Sequence, residues 1–189
     1  MRQPASSAVP PIPPVVLGVD LKIEHQEDLR RSLRSAFGIN TRAIRLRIDP
    51  SLDLIYLSEI QLPGSLDCLE ALTRPEVIAV MLRKASLEWH PEEGHAIGRG
   101  TPTLAALETG NCFLTANNHK IHIASFTNHS AHPNHITMEL LGRPNLLEYL
   151  RTEWFTLEIS GTNRRRLVRP LGFSVRLEFD VVAQQALAA

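Results

Sequence analysis

The sequence predicts an α+β domain in which several short helices accompany a largely antiparallel sheet. Apolar and polar residues alternate in several segments, which is the pattern of half-buried strands. Other segments place apolar residues at the spacing of one helical face. An Asn-Asn pair separates two strand-like segments, as in a hairpin of antiparallel strands. Because 189 residues are enough for one core and few for two, we expect a single domain over residues 15–189.

Residues 1–14 predict a disordered leader that is rich in proline and serine. Its five prolines disfavour a regular helix and favour an extended chain. The segment lacks the apolar stretch of a cleaved signal peptide. The two cysteines of the chain are too few for a disulfide scaffold. We expect a cytoplasmic protein, or one exported by a bacterial machine that cleaves no signal peptide.

Strands and helices are expected to alternate through the first half of the domain. Alternating apolar residues predict strands over 17–23, 44–48 and 54–60. Apolar spacing and end signals predict helices over 26–37, 65–72 and 75–82. Ser65 suits an N-cap because its hydroxyl can accept a free backbone N–H, and Pro75 suits a first helical turn.

The second half is expected to contain most of the antiparallel sheet. Thr101-Pro102 starts a short helix that ends at Gly110. Asn117-Asn118, two residues that tolerate positive φ, predict a hairpin between 112–116 and 119–126. A further short helix is expected over 145–151, and strands are expected over 154–159 and 173–181.

The charge balance argues against two classes of partner. Twenty basic residues match twenty acidic ones, so the whole chain offers no electrostatic footprint for nucleic acid or an anionic membrane. No apolar run approaches the roughly 20 residues of a membrane-spanning helix. We therefore expect a protein partner or substrate, with no nucleic acid and no membrane.

Arginines 164–166 and Arg169 form a local cluster of positive charge. They follow the turn-like residues 160–163, so we expect them at a hairpin tip. Arginine guanidinium groups bind phosphates and carboxylates through two parallel hydrogen bonds. The segment is either a docking site for a phosphate-bearing ligand or acidic partner, or a solvated turn.

Histidines are concentrated in one part of the chain. Seven of the eight lie between residues 90 and 135, and five of them lie within 119–135. Imidazole changes charge near neutral pH and is a common metal ligand. We therefore predict a functional cleft in residues 90–135. Its expected lining residues are His95, Cys112, His122, His129 and His132.

Two chemistries would use this set of side chains. In the first, Cys112 is a nucleophile whose thiol is activated by a histidine, with His95, His129 and His132 as the catalytic candidates. In the second, His122, His132 and His135 bind a metal, and zinc is the candidate cofactor. The alternative is that the histidines are structural and make local hydrogen bonds in loops.

Two short motifs resemble enzyme signatures. Gly110-Asn-Cys-Phe113 resembles the cysteine motif of ovarian-tumour-type deubiquitinases, which implies a nucleophile at a helix start, although Thr109 replaces the motif's aspartate. Asn128-His-Ser-Ala-His-Pro-Asn134 resembles the motif that SET-domain methyltransferases thread beside S-adenosylmethionine. Leu177-Glu-Phe-Asp180 is similar to that family's closing motif, but Ala131 replaces its cysteine and Val181 its tyrosine.

A longer stretch resembles plant IQ-motif-containing proteins and their uncharacterised bacterial and fungal relatives. It comprises His95, two glycines, a pair of alanines, the predicted hairpin and Ser130-Ala-His132-Pro133, in the order of that family. Ala131 replaces a glycine of the family pattern. The resemblance covers about forty residues and implies that His95 and His132 approach each other in space, without implying a reaction.

Three functions are consistent with these features. The first is a bacterial effector- or toxin-like enzyme that modifies a macromolecular target through the histidine-lined cleft. The second is a non-catalytic protein-binding module with structural histidines. The third is a SET-like methyltransferase. The first two make opposite demands on the histidines, which must converge on one site in an enzyme and need not do so in a binding module.

Overall fold

The computed structural model describes residues 12–23, 54–90, 101–167 and 169–184. Its strands are β1 (Val15–Ile23), β2 (Ile55–Pro63), β3 (Val77–Trp89), β4 (Leu107–Ala116), β5 (His119–Thr127), β6 (His135–Thr137), β7 (Glu139–Leu140), β8 (Trp154–Asn163) and β9 (Leu171–Ala183). The described helices are two 3₁₀ helices, Asp67–Thr73 and Leu104–Ala106, and the α-helix α1, Leu147–Leu150.

The strands form two antiparallel sheets that pack face to face. One sheet has the order β1-β9-β3-β6, and the other has the order β2-β8-β4-β5-β7. Inward side chains of both sheets belong to one hydrophobic core, as in a β-sandwich. The predicted α+β class is therefore wrong, since the longest described helices are a seven-residue 3₁₀ helix and a four-residue α-helix.

Alternation of apolar residues places the central strands in this core. In β9, Leu171, Phe173, Val175, Leu177 and Phe179 are buried, whereas the residues between them are more exposed. Because successive side chains point to opposite faces of a sheet, this pattern buries one face of the strand. Each fully buried side chain of this kind contributes about 1.5–3 kcal/mol through the hydrophobic effect.

Two glycines leave room for the side chain of Tyr56 to extend across the inner face of the β2-β8-β4-β5-β7 sheet. The Tyr56 hydroxyl on β2 donates a 2.8 Å hydrogen bond to the carbonyl oxygen of Thr109 on β4. A Cβ at Gly161 would lie 2.1 Å from that carbonyl oxygen, and one at Gly110 would lie 2.6 Å from the tyrosine hydroxyl oxygen. Burial raises the pKa of Tyr56 well above its usual range, so the phenol stays a hydrogen-bond donor.

Several predicted elements are confirmed. The strands expected over 17–23, 54–60, 154–159 and 173–181 correspond to β1, β2, β8 and β9. The expected hairpin joins β4 to β5, and Asn117 and Asn118 have φ of 49° and 64°. The helix expected over 145–151 is present as α1, and the one expected over 65–72 as a 3₁₀ helix. No side chain caps that 3₁₀ helix, so the predicted role of Ser65 is wrong.

Two predicted helices are strands instead. Residues 77–82 belong to β3, where irregularities at 77–79 and 82–84 interrupt the alternation that would have indicated a strand. Residues 104–106 form a 3₁₀ helix, after which β4 runs through Gly110 between two neighbouring strands. Pairing on both sides outweighs the local helix propensity of this segment. The helix expected over 26–37 and the strand expected over 44–48 lie outside the described residues.

The sandwich has two distinct ends. At one end, which we call the crossover end, four strands terminate and each is followed along the chain by a strand of the other sheet: β1 by β2, β3 by β4, β5 by β6, and β8 by β9. At the opposite end, which we call the hairpin end, lie the β4–β5 turn, the first 3₁₀ helix and α1. Most of the sequence features singled out above fall at the crossover end.

Two further expectations concern the leader and the membrane. Residues 1–11 of the expected leader lie outside the described residues, and Ile12 is half-buried against the core. None of the helices in the described part of the chain has the length and apolar character to cross a bilayer.

Candidate functional site

Asn128 organises the crossover end. Its side chain is 3% exposed, and its Nδ2 donates hydrogen bonds to the carbonyl oxygens of Leu104 at 3.0 Å and His132 at 3.3 Å. Its Oδ1 accepts the backbone N–H of His132 at 2.9 Å. Its own backbone N–H donates to the carbonyl of Glu108 at 2.8 Å. One buried amide therefore closes the 128–132 loop and attaches it to the 104–108 segment.

Backbone hydrogen bonds fix the rest of this loop to both neighbouring segments. The Leu104 N–H donates to the Pro133 carbonyl, and the Trp89 N–H donates to the Asn134 carbonyl, both at 2.9 Å. The Trp89 indole Nε1 donates to the Pro102 carbonyl at 3.0 Å. The end of β3 and the segment before β4, which belong to different sheets, are thus hydrogen-bonded to this loop and to each other. These bonds hold the loop in a defined position.

The arginine segment joins the same network. A guanidinium N–H of Arg164 donates to the carbonyl of Asn128, and the backbone N–H of Arg164 donates to Ala106 at 2.8 Å. The expected hairpin tip is wrong, because residues 164–170 connect β8 in one sheet to β9 in the other. The sequence separates the 128–134 loop, which we call the histidine loop, from the arginines by about thirty residues, and the fold places the two in contact.

Three of the predicted histidines line one open depression of ≈ 640 Å³ at this end. His129, His132 and His135 are all exposed around it, together with Ser130 and other residues of the 127–137 segment. The Nε2 of His135 lies 3.2 Å from the Thr137 hydroxyl. The fold thus brings together part of the predicted histidine set on one surface.

His122 lies elsewhere, on the outer face of the β2-β8-β4-β5-β7 sheet. Its ring stacks on Phe113 with ring centroids 4.5 Å apart, and its Nε2 lies 3.1 Å from the Ala124 carbonyl oxygen. Lys120 lies over the same phenylalanine ring, 4.3 Å from the centroid, and forms an ion pair with Glu158. This arrangement gives His122 a packing role on the sheet and separates it from the depression.

The expected metal site is not assembled in the described part of the chain. His132 and His135 line the depression, whereas His122 packs on Phe113. No group of three or more His, Cys, Asp or Glu side chains in the described ranges is arranged to hold a metal ion. A zinc site needs three or four protein ligands within about 2.0–2.3 Å of one point. The described geometry therefore does not favour zinc binding by this set.

Cys112 is placed in the core. It lies on β4 with 0% exposure and is a free thiol. Burial raises the pKa of Cys112 well above its usual range, and the nearby Glu158 carboxylate adds to the rise. Because the thiolate is the nucleophile, this environment favours an inert thiol. The residue also lies within a strand, whereas the deubiquitinase resemblance implied a helix start.

A serine, an aspartate and a histidine meet on the other sheet. Ser174 Oγ donates to Asp20 Oδ1 at 2.6 Å, and His90 Nε2 lies 3.4 Å from the same oxygen without the geometry of a hydrogen bond. In a catalytic triad the serine donates to the histidine, which takes up its proton. Here both side chains contact the aspartate, so the arrangement does not activate the serine.

The remaining resemblances receive no structural support from the described residues. His95 lies outside them, so its predicted approach to His132 stays a prediction. Of the two SET-like motifs, 128–134 lies beside Trp89, whereas Leu177 pairs with Ala85, four residues along the same strand. At about 3.3 Å per strand residue this separates the motifs by roughly 13 Å.

Comparisons with models of known protein families, with curated proteins and with solved structures found no match to the chain. The interpretation of the site therefore rests on its own residues. The arrangement at the crossover end can present histidine, hydroxyl and guanidinium groups from a fixed backbone. It does not pair a nucleophile with a base within the described residues.

The importance of Asn128 was not predicted from the sequence. A local signal exists, because an Asn at a strand end often bonds to the backbone of the following residues. Its contacts with Leu104 and Arg164, by contrast, cross 24 and 36 positions and depend on the sandwich topology. In the sequence, the neighbouring histidines are easier to recognise than Asn128 as potential functional groups.

Proposed function

We propose that the chain is a non-catalytic binding module that recognises a protein partner at its crossover end. The observation that carries the proposal is the attachment of the histidine loop and the arginine segment to each other through Asn128. A surface that is ordered before binding loses less conformational entropy when a partner docks. Loops at one end of a β-sandwich are also a common place for recognition.

The chemistry of the described residues supports binding over catalysis. The buried thiol of Cys112 is inaccessible, and the Ser174 hydroxyl is bonded to an aspartate. The depression is open and lined by loop residues, whereas small-molecule sites are usually enclosed enough to bury most of the ligand. A protein partner can cover such an open surface with a larger contact area.

Selection of binders tests this proposal. A phage-displayed library of natural protein fragments is selected on the folded chain, and each enriched fragment is measured against two variants. The site variant is His129→Ala with His132→Ala. The matched control is His119→Ala, which removes another exposed histidine beside the β4–β5 turn at the hairpin end.

The expected result is a set of fragments that bind the chain and the His119→Ala control equally but lose at least about fivefold affinity on the site variant, about 1 kcal/mol. Fragments that bind all three proteins equally would show that recognition uses another surface. Failure to enrich any fragment would also contradict the proposal. Circular dichroism of each variant shows whether it keeps the strand content of the parent.

An effector- or toxin-like enzyme is the second candidate, and one observation favours it. His129, His132 and His135 share the rim of one depression, where they can act on a bound macromolecule as proton donors or acceptors. Zinc titration by calorimetry and a screen for hydrolytic and group-transfer activity test this function. Activity that is lost in His132→Ala would support it, and silence in both assays favours the binding module.

A further inference from the structure

Within the described residues, a dense run of positive charge lies beside the histidine loop. Residues 159–177 contain no acidic residue and include five arginines, at positions 164, 165, 166, 169 and 176. The first four are exposed and belong to the connection between β8 and β9. Since the whole chain is neutral, this segment carries a local positive charge that the molecule as a whole lacks.

Buried anchors hold these arginines in place. Asn163, 1% exposed, ends β8 immediately before them, and Leu167, 3% exposed, inserts into the core immediately after the third. The backbone N–H of Arg164 is bonded to Ala106, and its guanidinium is bonded to Asn128. The guanidinium groups therefore extend from a fixed stretch of backbone, next to the depression.

Two exposed cations elsewhere on the sandwich lie beside carboxylates. Lys120 pairs with Glu158, and Arg83 lies 3.8 Å from Asp180. Among the described residues, acidic groups on the segments next to the arginines and histidines include Glu108, next to Asn128 in the hydrogen-bond network, and Glu88, which is opposite His135 across β3 and β6. The connection between β8 and β9 itself carries four arginines and no carboxylate.

From this charge distribution we propose that the crossover end binds an acidic peptide segment, rich in Asp and Glu, whose carboxylates contact Arg164, Arg165 and Arg169. The inference rests on the proposed binding function and names the chemistry of the partner. Guanidinium groups bind carboxylates through two parallel N–H donors. The exposed histidines and hydroxyls around the depression supply further donors to the same segment.

The residues around the arginines favour a peptide over a nucleic acid. Single-stranded nucleic acids bind where aromatic side chains alternate with cations, because the bases stack on the rings. The segment 160–170 contains no aromatic residue, and the depression is lined by small polar side chains, histidines, one proline and one isoleucine. Carboxylates need donors rather than stacking surfaces, and this surface is rich in donors.

Fluorescence anisotropy with defined probes tests the inference. The probe is a fluorescein-labelled peptide of about twelve residues in which Asp and Glu alternate with Gly and Ser. The control peptide replaces Asp and Glu by Asn and Gln. A labelled oligothymidine of similar length measures binding of nucleic acid. Each is titrated with the full chain at low and at physiological ionic strength, since exposed ion pairs weaken with salt.

The protein variants separate local charge from total charge. Arg165→Gln with Arg169→Gln removes two cations at the crossover end. The matched control is Arg143→Gln, which removes an exposed arginine from the connection between β7 and α1. Arg165→Lys with Arg169→Lys keeps the charge and shows whether the planar guanidinium group is required.

We expect the acidic peptide to bind at least tenfold more tightly than the neutral one. The Gln variant should weaken that binding about fivefold, as expected for two exposed ion pairs, and the Arg143→Gln control should change it by less than about twofold. Equal binding of both peptides, an unaffected Gln variant, or tighter binding of oligothymidine would overturn the inference. If the library selection yields site-dependent fragments without acidic residues, the proposed function stands and the acidic partner does not.

Discussion

The two ends of the sandwich are each held by one asparagine and one arginine. At the hairpin end, Asn145 Oδ1 accepts the N–H groups of Val80 and Leu147 at 3.0 and 3.1 Å. Arg151 donates to the carbonyls of Leu72, Arg74 and Val77 at 2.6, 2.7 and 3.2 Å. At the crossover end, Asn128 and Arg164 have the corresponding roles.

The difference lies in what remains available for a partner. Arg151 donates three hydrogen bonds to backbone carbonyls, so these N–H groups stabilise the fold. Arg164 makes one guanidinium bond to the backbone and lies next to three further exposed arginines and an open depression. Similar hydrogen bonds thus complete the fold at one end and, at the other, hold the surface that we propose binds a partner. Substitutions at the paired residues should separate these two roles.

Asn128→Asp should have the largest effect on stability. The substitution removes two N–H donors and places a buried carboxylate against the carbonyl oxygens of Leu104 and His132. Loss of these bonds and burial of an unpaired charge should lower the free energy of unfolding by about 4 kcal/mol. Urea denaturation followed by tryptophan fluorescence measures it.

The pH dependence of the stability of Asn128→Asp provides a second test. Burial raises the pKa of a carboxyl in the folded state above its unfolded value, so the variant should be most stable in acid and lose stability as the pH rises. A protonated carboxyl also regains one O–H donor. Asn134→Asp is the matched control, because its side chain is exposed and should change stability by less than about 0.5 kcal/mol. Equal effects of both substitutions would contradict the role assigned to Asn128.

Arg151→Ala should have the next largest effect on stability and should leave peptide binding unchanged. Removal of three charge-assisted hydrogen bonds at a partly exposed site should destabilise the protein by about 2 kcal/mol. Because Arg151 lies at the hairpin end, the folded variant should bind the acidic peptide with parental affinity. Arg74→Ala, which removes an exposed side chain from the same region, is the control for stability. Weakened peptide binding by folded Arg151→Ala would show that the two ends are not independent.

Much of the strand structure could be predicted from local sequence. The alternation in β1 and β9 is regular, and the Asn117-Asn118 turn has a direct conformational signature. The fold class could not be predicted in the same way. Residues 77–82 and 104–110 have weak or interrupted alternation, and their strand conformation depends on pairing with neighbours that are distant in sequence.

The candidate site shows the same division between local and long-range information. His129, His132 and His135, which the sequence placed in one candidate region, share one depression. The sequence did not indicate that Cys112 points into the core, because a residue's face on a strand depends on the register, and a bulge follows this residue in the pairing of β4 with β5. The contact between Arg164 and Asn128 depends on the crossing of β8 to β9 and has no local signature.

Ala131→Gly should have the smallest effect and the opposite sign. Ala131 lies in the histidine loop with φ of 49°, where an L side chain is strained and glycine is not. Relief of this strain should stabilise the protein by about 0.5–1 kcal/mol, after the greater flexibility of glycine in the unfolded chain is subtracted. Ser130→Gly, at a neighbouring position without positive φ, should instead destabilise by a few tenths of a kcal/mol. Thermal unfolding of both variants measures the difference in stability.

If Ala131→Gly stabilises the chain and leaves peptide affinity unchanged, the loop already holds its binding conformation in the free protein. Weaker binding would mean that the alanine restricts the loop to that conformation.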